Sequence, residues 1–555
     1  MFPRQRTLTE LRDDVLGEGA CITTPFGERR LTYADYIASG RPLASVEEAL
    51  RTAVLPLYAN THTEDSASGA ATTTLVHEAA EYVKRCLGAD ASYKLLFPGT
   101  GATGALKRLQ EILGVSVPGH LRQLVLDRLD PTDRMVVFVG PYEHHSNEVS
   151  WRESLAEVVT VPLDSDGLID MPALERALSD PRYAGRPKLG TFSAASNVTG
   201  LLTDVRAVAG LLHRHGAIAV FDYAASAPYV PIDVSRSSPD ADDWLDAIVL
   251  SPHKFLGGPG AAGLLLFRSD LYRLSSPTTA GGGTVTYVSH TQHRFVHDIE
   301  AREDAGTPGI LQKLRAALAF RVKEQLGTDV IEARERELIG RAVSRLSGRP
   351  GIRILGNKDA PRLAVMSFLV SSGGKQLHAR FVIRLLSDLF GIQGRAGCSC
   401  AGPYGHDLLG IGEEVSACYL NAIEAGYEGV KPGWARVSFH YLCDDEEVEY
   451  LLSAIEFIAE HGHLFLPLYK FCWRGGSWTH RGVASGEHHA FEPESWTPVR
   501  ACTRPRGEDY AAYLNEARDL AERLARGETP GVAETVDATE APPADLDPQL
   551  LWFVR

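Results

Sequence analysis

Lys254 is the residue whose setting indicates chemistry most directly. It stands in the string SPHKFLGGPG, after the apolar segment AIVLS and before a glycine-rich turn. Burial at the end of a strand lowers the pKa of a lysine and favours its reaction with a carbonyl group. Ser251 and His253 flank this lysine and could donate hydrogen bonds to a phosphate. The alternative interpretation is a strand-end lysine with accidental neighbours.

Three other segments carry groups that fit the same chemistry. The string GTGATG, residues 99–104, ends a strand and begins a helix, where free N–H groups and the helix dipole favour a phosphate. Such turns are also common without a ligand. Asp222 ends another strand, where a buried carboxylate needs a cationic partner such as a protonated pyridine nitrogen. His144, in PYEHHSNE, could stack on a flat ring, although an isolated histidine pair is more often structural. Together these groups describe a site for pyridoxal 5′-phosphate (PLP).

A second cluster of reactive residues lies in GIQGRAGCSCAGPYGH, residues 391–406. Cys400 on this small-residue loop could supply a nucleophilic thiolate. Cys398 would share its face if the segment is extended, and could then accept a sulfur atom from Cys400 or form a protective bond with it. The pair could also be structural or a regulatory redox pair. A metal site with His406 matches the usual zinc spacing poorly, and no metal is predicted.

Two arginines are candidates for binding a carboxylate, because a guanidinium matches two oxygen atoms at once. Arg436 stands in the predicted strand WARVSFHY, and Arg395 precedes the two cysteines. The alternative for either is an ion pair between domains.

The elements that must position these residues alternate between apolar strands and amphipathic helices, which is typical of an α/β fold with a mostly parallel sheet. Predicted strands cover residues 93–97, 135–140, 158–163, 189–195, 217–222, 247–251 and 262–267. Predicted helices cover 8–16, 46–57, 72–87, 105–113, 171–178, 204–215 and 310–337. A smaller α+β region follows, with strands at 363–370 and 434–442 and helices at 376–390 and 445–461. A last helix is predicted at 510–526, and residues 527–549 have little to bury.

Composition limits the class of protein. The 555 residues carry a formal charge of −15, which argues against nucleic acid and anionic membranes as partners. We expect no secretory signal and no membrane span, since the N-terminus lacks an apolar core and the longest uncharged runs are polar. Eight cysteines are too sparse for a disulfide scaffold, so a soluble cytoplasmic protein is expected.

The ordered motifs resemble those of class V aminotransferase-fold enzymes, and within them the group II cysteine desulfurase/selenocysteine lyase branch. The resemblance runs from about residue 31 to residue 461 and includes the pattern Arg-x-Gly-x-x-Cys at Arg395, Gly397 and Cys400. It implies a fold type I homodimer that has a seven-stranded sheet and active sites at the subunit boundary. The implied reaction converts L-cysteine to L-alanine and an enzyme persulfide on Cys400, with a sulfur-acceptor protein as partner.

The resemblance also implies a role for each site residue. Lys254 forms the Schiff base with PLP, Asp222 pairs with the pyridine nitrogen and His144 stacks on the ring. The residues implied to hold the phosphate are Ala102, Thr103, Ser251, His253 and, from the partner subunit, Thr307. Those implied to contact the substrate are Asn197, which also contacts the cofactor, Arg436, Arg395 and His62.

The implied domains are an N-terminal segment at 1–60 that contributes to the small domain, a PLP-binding domain at 61–325 and a small α+β domain at 326–462. A partly mobile C-terminal extension follows at 463–555.

One departure from the family keeps other reactions open. The family often has Asp-x-Ala-Gln where this chain has Asp222-Tyr223-Ala224-Ala225, so a hydrogen-bond donor to the cofactor's phenolic oxygen is missing. Ser226 or a water could replace it. This departure and the C-terminal extension favour an aminotransferase, an epimerase or a C–S lyase. A catalytically silent scaffold would not need Lys254, Asp222 and His144 together.

Overall fold

The computed structural model describes residues 5–61, 63–482, 493–528 and 541–554. The N-terminal part contains α1 (Leu8–Asp13), the hairpin of β1 (Cys21–Thr24) and β2 (Gly27–Arg30), β3 (Thr32–Tyr33) and α2 (Ala44–Ala49). The helix predicted at 46–57 continues from α2 as short π and 3₁₀ turns to Leu57.

The central sheet has seven strands, as predicted. They are β4 (Tyr93–Leu96), β5 (Val136–Val139), β6 (Glu157–Thr160), β7 (Lys188–Ser193), β8 (Ile218–Asp222), β9 (Ala247–Leu250) and β10 (Leu264–Arg268). Their order is β4-β10-β9-β8-β7-β5-β6, and only β10 runs antiparallel to its neighbours. The four residues of β5 and of β9 are all buried, because both faces of the sheet are covered.

Helices cover this sheet and lead out of it. They are α3 (Ala67–Cys86), α4 (Gly101–Ile112), α5 (Gly119–Leu126), α6 (Val149–Arg152), α7 (Met171–Leu178) and α8 (Val205–Arg214). A two-stranded hairpin, β11 (Val285–Val288) and β12 (His293–Phe295), follows the sheet and precedes α9 (Ile299–Arg302). None of the helices in the described part of the chain is long and apolar enough to cross a membrane.

The prediction of a single long helix over residues 310–337 is wrong, because the structure has two helices there. The chain forms α10 (Ile310–Leu326) and α11 (Thr328–Leu346), separated by Gly327 with φ of +89°. A helix cannot continue through this conformation, which glycine adopts without a Cβ clash.

A second, smaller sheet collects strands from distant parts of the chain. Between residues 352 and 461 the chain forms β13 (Ile352–Ile354), β14 (Val365–Ser372), β15 (Lys375–Leu377), α12 (Ala379–Phe390), β16 (Ile392–Gln393), β17 (Arg395–Gly397), α13 (Gly402–Leu409), α14 (Glu413–Glu424), β18 (Trp434–Ser438) and α15 (Asp445–His461). All of these strands except β16 belong to the second sheet. Residues 376 and 377, predicted as helix, belong to β15, and α12 begins after His378, whose side chain accepts a hydrogen bond from Arg380 N–H. Strand β16 pairs with β3 of the N-terminal part.

The C-terminal extension packs against this second sheet. It contains the hairpin of β19 (Tyr469–Phe471) and β20 (Trp478–His480), then α16 (Arg506–Ala525) and β21 (Phe553–Val554). Strand β21 pairs in parallel with β15 at one edge of the sheet. The strand order is therefore β17-β18-β14-β15-β21. Of residues 527–549, which we predicted to be mobile, 529–540 lie outside the described residues. Residues 541–549 are described, and Leu546 among them is buried in the core next to the second sheet.

Three kinds of contact join the extension to the rest of the chain. The ring of Tyr510 stacks on Tyr450 at 3.7 Å between centroids. Arg30, the last residue of β2, donates a hydrogen bond from Nε to Asp509 Oδ2 at 3.0 Å. Cys21 and Cys502, 481 positions apart, form a disulfide, and the other six cysteines are free. The chain therefore has one cross-link rather than a disulfide scaffold.

We predict that this disulfide stabilises the docked extension. Alkylation of the denatured protein should label six cysteines without reductant and all eight after reduction. Cys502→Ser should lower the free energy of unfolding by about 2–4 kcal/mol, because the unfolded chain loses a cross-link. Cys472→Ser, which removes an exposed free thiol, is the matched control. Labelling of all eight cysteines without reductant would contradict the pairing.

Candidate active site

A cavity of about 160 Å³ opens at the carboxyl ends of the central strands, the usual ligand position in such sheets. The loops after β4, β5, β7, β8 and β9 form its wall. Its lining residues are Thr100, Gly101, Ala102, Thr103, His144, Ser146, Ser193, Ala195, Asn197, Asp222, Ala224, Ala225, Ser251, His253 and Lys254. The structure therefore brings eight of the predicted site residues together: Ala102, Thr103, His144, Asn197, Asp222, Ser251, His253 and Lys254.

The first turn of α4 forms one end of the cavity. Ala102 N–H donates to Ser251 Oγ at 2.9 Å, and the hydroxyls of Thr103 and Ser146 lie 2.7 Å apart. A Cβ on Gly101, whose φ is +69°, would lie 2.9 Å from the ring of His253. The backbone can therefore pass close to this ring only with glycine. Hydroxyls, an imidazole and a helix N-terminus suit an anionic group such as a phosphate.

Asp222 and Lys254 face the cavity as a carboxylate and an amine. Asp222 is 4% exposed, and the only hydrogen bond to its carboxylate among the described residues comes from Ala224 N–H at 2.8 Å. Burial raises the pKa of Asp222, opposed by that N–H and by the charge of Lys254. Burial lowers the pKa of Lys254 to about 8, partly offset by Asp222. An amine with this pKa is partly unprotonated near neutral pH. Only the unprotonated amine reacts with a carbonyl group.

His144 begins a 3₁₀ turn, and its Nδ1 accepts a hydrogen bond from Ser146 N–H at 3.1 Å. Burial lowers the pKa of His144 to about 4, with the charge of Lys254 acting in the same direction. The ring is therefore neutral at neutral pH, as suits stacking on an aromatic cofactor.

Behind His144 lies a buried polar network that the sequence interpretation missed. Glu143 accepts from Ser193 N–H at 2.8 Å, from Ser193 Oγ at 2.6 Å and from Asn147 Nδ2 at 2.7 Å. Burial raises the pKa of Glu143 to about 7, and the charge of Asp222 adds to this rise. The signal was present in the sequence, since Glu143 and Asn147 stand four residues apart in the same EHHSN string as His144.

The two predicted arginines meet at Asp35, a second residue that we did not predict. Arg436 donates to Asp35 Oδ1 at 3.0 Å, and Arg395 donates to Asp35 Oδ2 at 2.9 Å. Arg436 also donates to Asn197 O at 2.8 Å, while its Nε is buried without a partner in the described structure. Burial lowers the pKa of Arg436, offset by Asp35. Both arginines therefore form an ion pair with the N-terminal part of the chain, which the sequence interpretation assigned to the same domain as the arginines.

Cys400 lies beside this group on a tight turn at 398–401. Ala401 N–H donates to Cys398 O at 3.1 Å, and Ser399 and Cys400 have φ of +51° and +58°. These are the positive angles of a type I′ turn, which non-glycine residues adopt at a cost. The segment is therefore not extended, so the shared face of Cys398 and Cys400 is not formed. Both thiols are exposed.

Thr307, His62 and His406 are the remaining candidates. Thr307 is exposed on the loop before α10, where it lines a separate cleft with Arg108 and Lys313. His62 lies outside the described residues. His406 contacts Gly402 O and Ser416 Oγ, each at 2.9 Å. In the part of the chain that the structure describes, no group of three or more His, Cys, Asp or Glu residues could hold a metal ion.

Residues 32–451 match the aminotransferase class-V family. The chain belongs to this family. A probable cysteine desulfurase of Halalkalibacterium halodurans is 27% identical over 440 residues, which cover 78% of this chain and 95% of the relative. A probable cysteine desulfurase of Halobacterium salinarum is 30% identical over 346 residues, which cover 62% of this chain and 73% of the relative.

Solved structures show the same fold, that of fold type I PLP enzymes. The apo cysteine desulfurase of Thermococcus onnurineus NA1 has a TM-score of 0.64 at 24% identity. The superposition covers 82% of this chain and 99% of the desulfurase chain. The Escherichia coli cysteine desulfurase CsdA has a TM-score of 0.61 at 23% identity, with coverage of 82% and 99%. The protein is thus a class-V enzyme similar to cysteine desulfurases, while residues beyond 451 lie outside the family match.

The family implies PLP as cofactor, and three features of this structure fit it. Asp222 is a buried carboxylate that lacks an ion-pair partner in the described structure and can pair with a ring N–H. The α4 terminus with Ser251 and His253 forms a cradle that a Cβ on Gly101 would obstruct. Lys254 supplies a desolvated amine in the same cavity.

We predict that His253 makes the cofactor-free protein sensitive to acid. Burial lowers the pKa of His253 to about 4, whereas the unfolded chain binds this proton near pH 6.5, roughly the ordinary pKa of histidine. Between these values the unfolded state holds more protons, so the free energy of unfolding falls as the pH falls. Chemical unfolding of wild type and His253→Gln should show wild type losing more stability over this range. A constant difference between the two proteins would contradict the prediction.

Proposed function

We propose that the protein is a PLP-dependent cysteine desulfurase or selenocysteine lyase-like enzyme. It converts L-cysteine to L-alanine and leaves the sulfur as a persulfide on Cys400. The observation that carries the proposal is the exposed Cys400 thiol on a strained turn. Backbone carbonyls of this turn accept hydrogen bonds from Asn197, which lines the cavity, and from His145, the neighbour of the cavity residue His144. A class-V enzyme that only moves an amino group has no need for a thiol at this place.

Each residue of the site would have a separate role in binding the cofactor or in moving a proton. Lys254 would hold PLP and carry the Cα proton on Nζ, since a pKa of about 8 suits both acceptance and release. Asp222 would keep the ring nitrogen protonated, and His144 would stack on the ring. The phosphate would contact the first turn of α4 through Ala102 and Thr103, together with Ser251 and His253. When bound, PLP supplies an electron sink for the bond-breaking at the substrate.

The substrate would be held at the other end of the cavity. Among the described residues, Arg436 Nε is a buried donor without a partner and would bind the α-carboxylate, and Asn197 Oδ1 is a buried acceptor without a partner. The Cys400 thiolate would attack the substrate sulfur: the new S–S bond forms, the C–S bond breaks, and its electron pair goes to the substrate carbon. A sulfur-acceptor protein would then remove the persulfide sulfur from the exposed turn.

One observation favours a second candidate, another PLP reaction such as an aminotransferase, epimerase or C–S lyase reaction. Ala225 lines the cavity where the family often has glutamine. The hydroxyl of Ser226 is buried without a partner in the described structure, and Ser226 is not among the residues that line the cavity. Ser226 therefore does not replace the missing donor. Products separate the candidates: alanine with sulfide indicates desulfuration, and pyruvate indicates a lyase.

Substitution of Cys400 tests the proposed function. Cys400→Ala should abolish alanine formation from L-cysteine, because no thiolate remains to take the sulfur, while the visible absorption band of the cofactor stays. Cys398→Ala is the matched control and should keep much of the activity. Mass spectrometry of the wild type after L-cysteine should show a persulfide on Cys400. Wild-type turnover by Cys400→Ala, or no persulfide on wild type, would refute the desulfurase.

We also propose that the active enzyme is a homodimer. Thr307 is exposed and outside the cavity of its own chain, as suits a residue that completes the partner's site. Lys254→Ala and Thr307→Ala should each lower activity, and mixing the two should restore it, since each mixed dimer regains one intact site. Sedimentation should show a dimer. Full activity in a monomer, or no restoration in mixed dimers, would contradict this arrangement.

A further inference from the structure

His145 contacts the turn that carries Cys400 at two points. Its backbone N–H donates to Cys400 O at 2.8 Å, and its ring Nε2 accepts from Gly402 N–H at 2.9 Å. The two bonds hold the chain on both sides of Ala401. His145 is also the direct neighbour of His144, which lines the cavity.

The hydrogen bond to the ring of His145 pairs a backbone N–H group at the N-terminus of α13. A helix leaves its first N–H groups without partners, and a side chain at the N-cap usually accepts from one of them. The N-cap of α13 is Ala401, which has no such acceptor, and Pro403 in the first turn has no N–H. His145 Nε2 supplies the acceptor from the opposite side of the site. A Cβ on Gly402 would lie 3.1 Å from Nε2, so glycine at this position permits the approach.

The bonds hold a turn that is unfavourable by itself. Ser399 and Cys400 both have positive φ, a backbone conformation that is unfavourable for a non-glycine residue. Such a conformation persists only when its surroundings hold it. Here the surroundings are His145 and Asn197, whose Nδ2 donates to Ser399 O at 2.7 Å.

We propose that His145 is a positioning residue for Cys400: as a neutral hydrogen-bond acceptor it docks the turn 398–401 beside the cofactor cavity. The docking stands on the contacts above, and only its consequence for sulfur transfer rests on the proposed function. Acceptance at Nε2 requires that this nitrogen carries no proton. Burial, and the charge of Arg152 to a smaller extent, lower the pKa of His145 and thus favour this state.

Three variants of the full-length, PLP-loaded protein test the docking. His145→Leu removes the acceptor, and His145→Gln replaces Nε2 by an amide oxygen at a similar distance from the backbone. His406→Leu is the matched control, since His406, a residue of α13 itself, contacts the carbonyl of Gly402 and the hydroxyl of Ser416 rather than the N–H of Gly402. The visible band of PLP, recorded for each variant, reports whether the cofactor site is intact.

Two measurements are made on each variant. Hydrogen–deuterium exchange over residues 398–405 should be about fivefold faster in His145→Leu, the factor that one hydrogen bond between neutral groups supplies. The single-turnover rate of persulfide formation on Cys400 should be about fivefold lower in this variant, because the thiol loses its fixed position. His145→Gln and His406→Leu should stay near wild type in both measurements, with the PLP band unchanged throughout.

The proposal is overturned if exchange in His145→Leu equals that of wild type, if His145→Gln is as defective as His145→Leu, or if His406→Leu is equally defective. Exchange does not depend on the reaction. If wild type forms no persulfide, the proposed function fails, and faster exchange in His145→Leu alone still supports the docking.

Discussion

The buried carboxylate of Asp222 is the constraint around which the cavity is organised. A charge at the end of β8 with a single N–H donor is costly in a protein interior, and its cost falls when a cation lies within reach. Lys254, at the end of the neighbouring β9, is the cation that the chain itself supplies. Its own burial lowers its pKa, so the pair holds a carboxylate and a weakly basic amine together. A ligand with a protonated ring nitrogen and a carbonyl group would satisfy both.

A second group of charges lies around Asp35, and in it the positive charges outnumber the negative ones. Two guanidinium groups, Arg395 and Arg436, share the carboxylate of Asp35. One carboxylate for two guanidinium groups leaves a surplus of positive charge, and Arg436 Nε is buried with no partner among the described residues. Asn197 links this group to the turn of Cys400, because its side chain donates to Ser399 O and its backbone carbonyl accepts from Arg436. The arginine group and the turn that carries the thiol are therefore joined through one residue.

The C-terminal extension is a structural part of the chain rather than a separate module. Strand β21 completes the second sheet, α16 packs on α15, and Cys502 is bonded to Cys21 near the N-terminus. The class-V family match ends at residue 451, so the extension lies beyond it. Its contacts described above lie on the N-terminal hairpin, the second sheet and α15, and none of the residues in them lines the cavity.

The central sheet, its order of helices and most cavity residues could be predicted from the sequence, because their signals are local. Apolar runs mark the strands, and Lys254, Asp222 and His144 each follow such a run. The break at Gly327 could not be predicted with the same certainty, since a glycine inside a helix costs only about 1 kcal/mol and is often tolerated. Whether the helix breaks there depends on where α10 and α11 must pack.

The tertiary structure alone decided which distant residues meet. Asp35 is separated from Arg436 by 401 positions, Gly402 from His145 by 257, and Cys21 from Cys502 by 481. It also decided that the segment of Cys398 and Cys400 is a turn, because its positive backbone angles are unfavourable locally and are held by His145 and Asn197. The sequence by itself therefore determined the elements and the chemistry at their ends. The partners of each charge and of the thiol were decided by packing, since such contacts leave no periodic pattern along the chain.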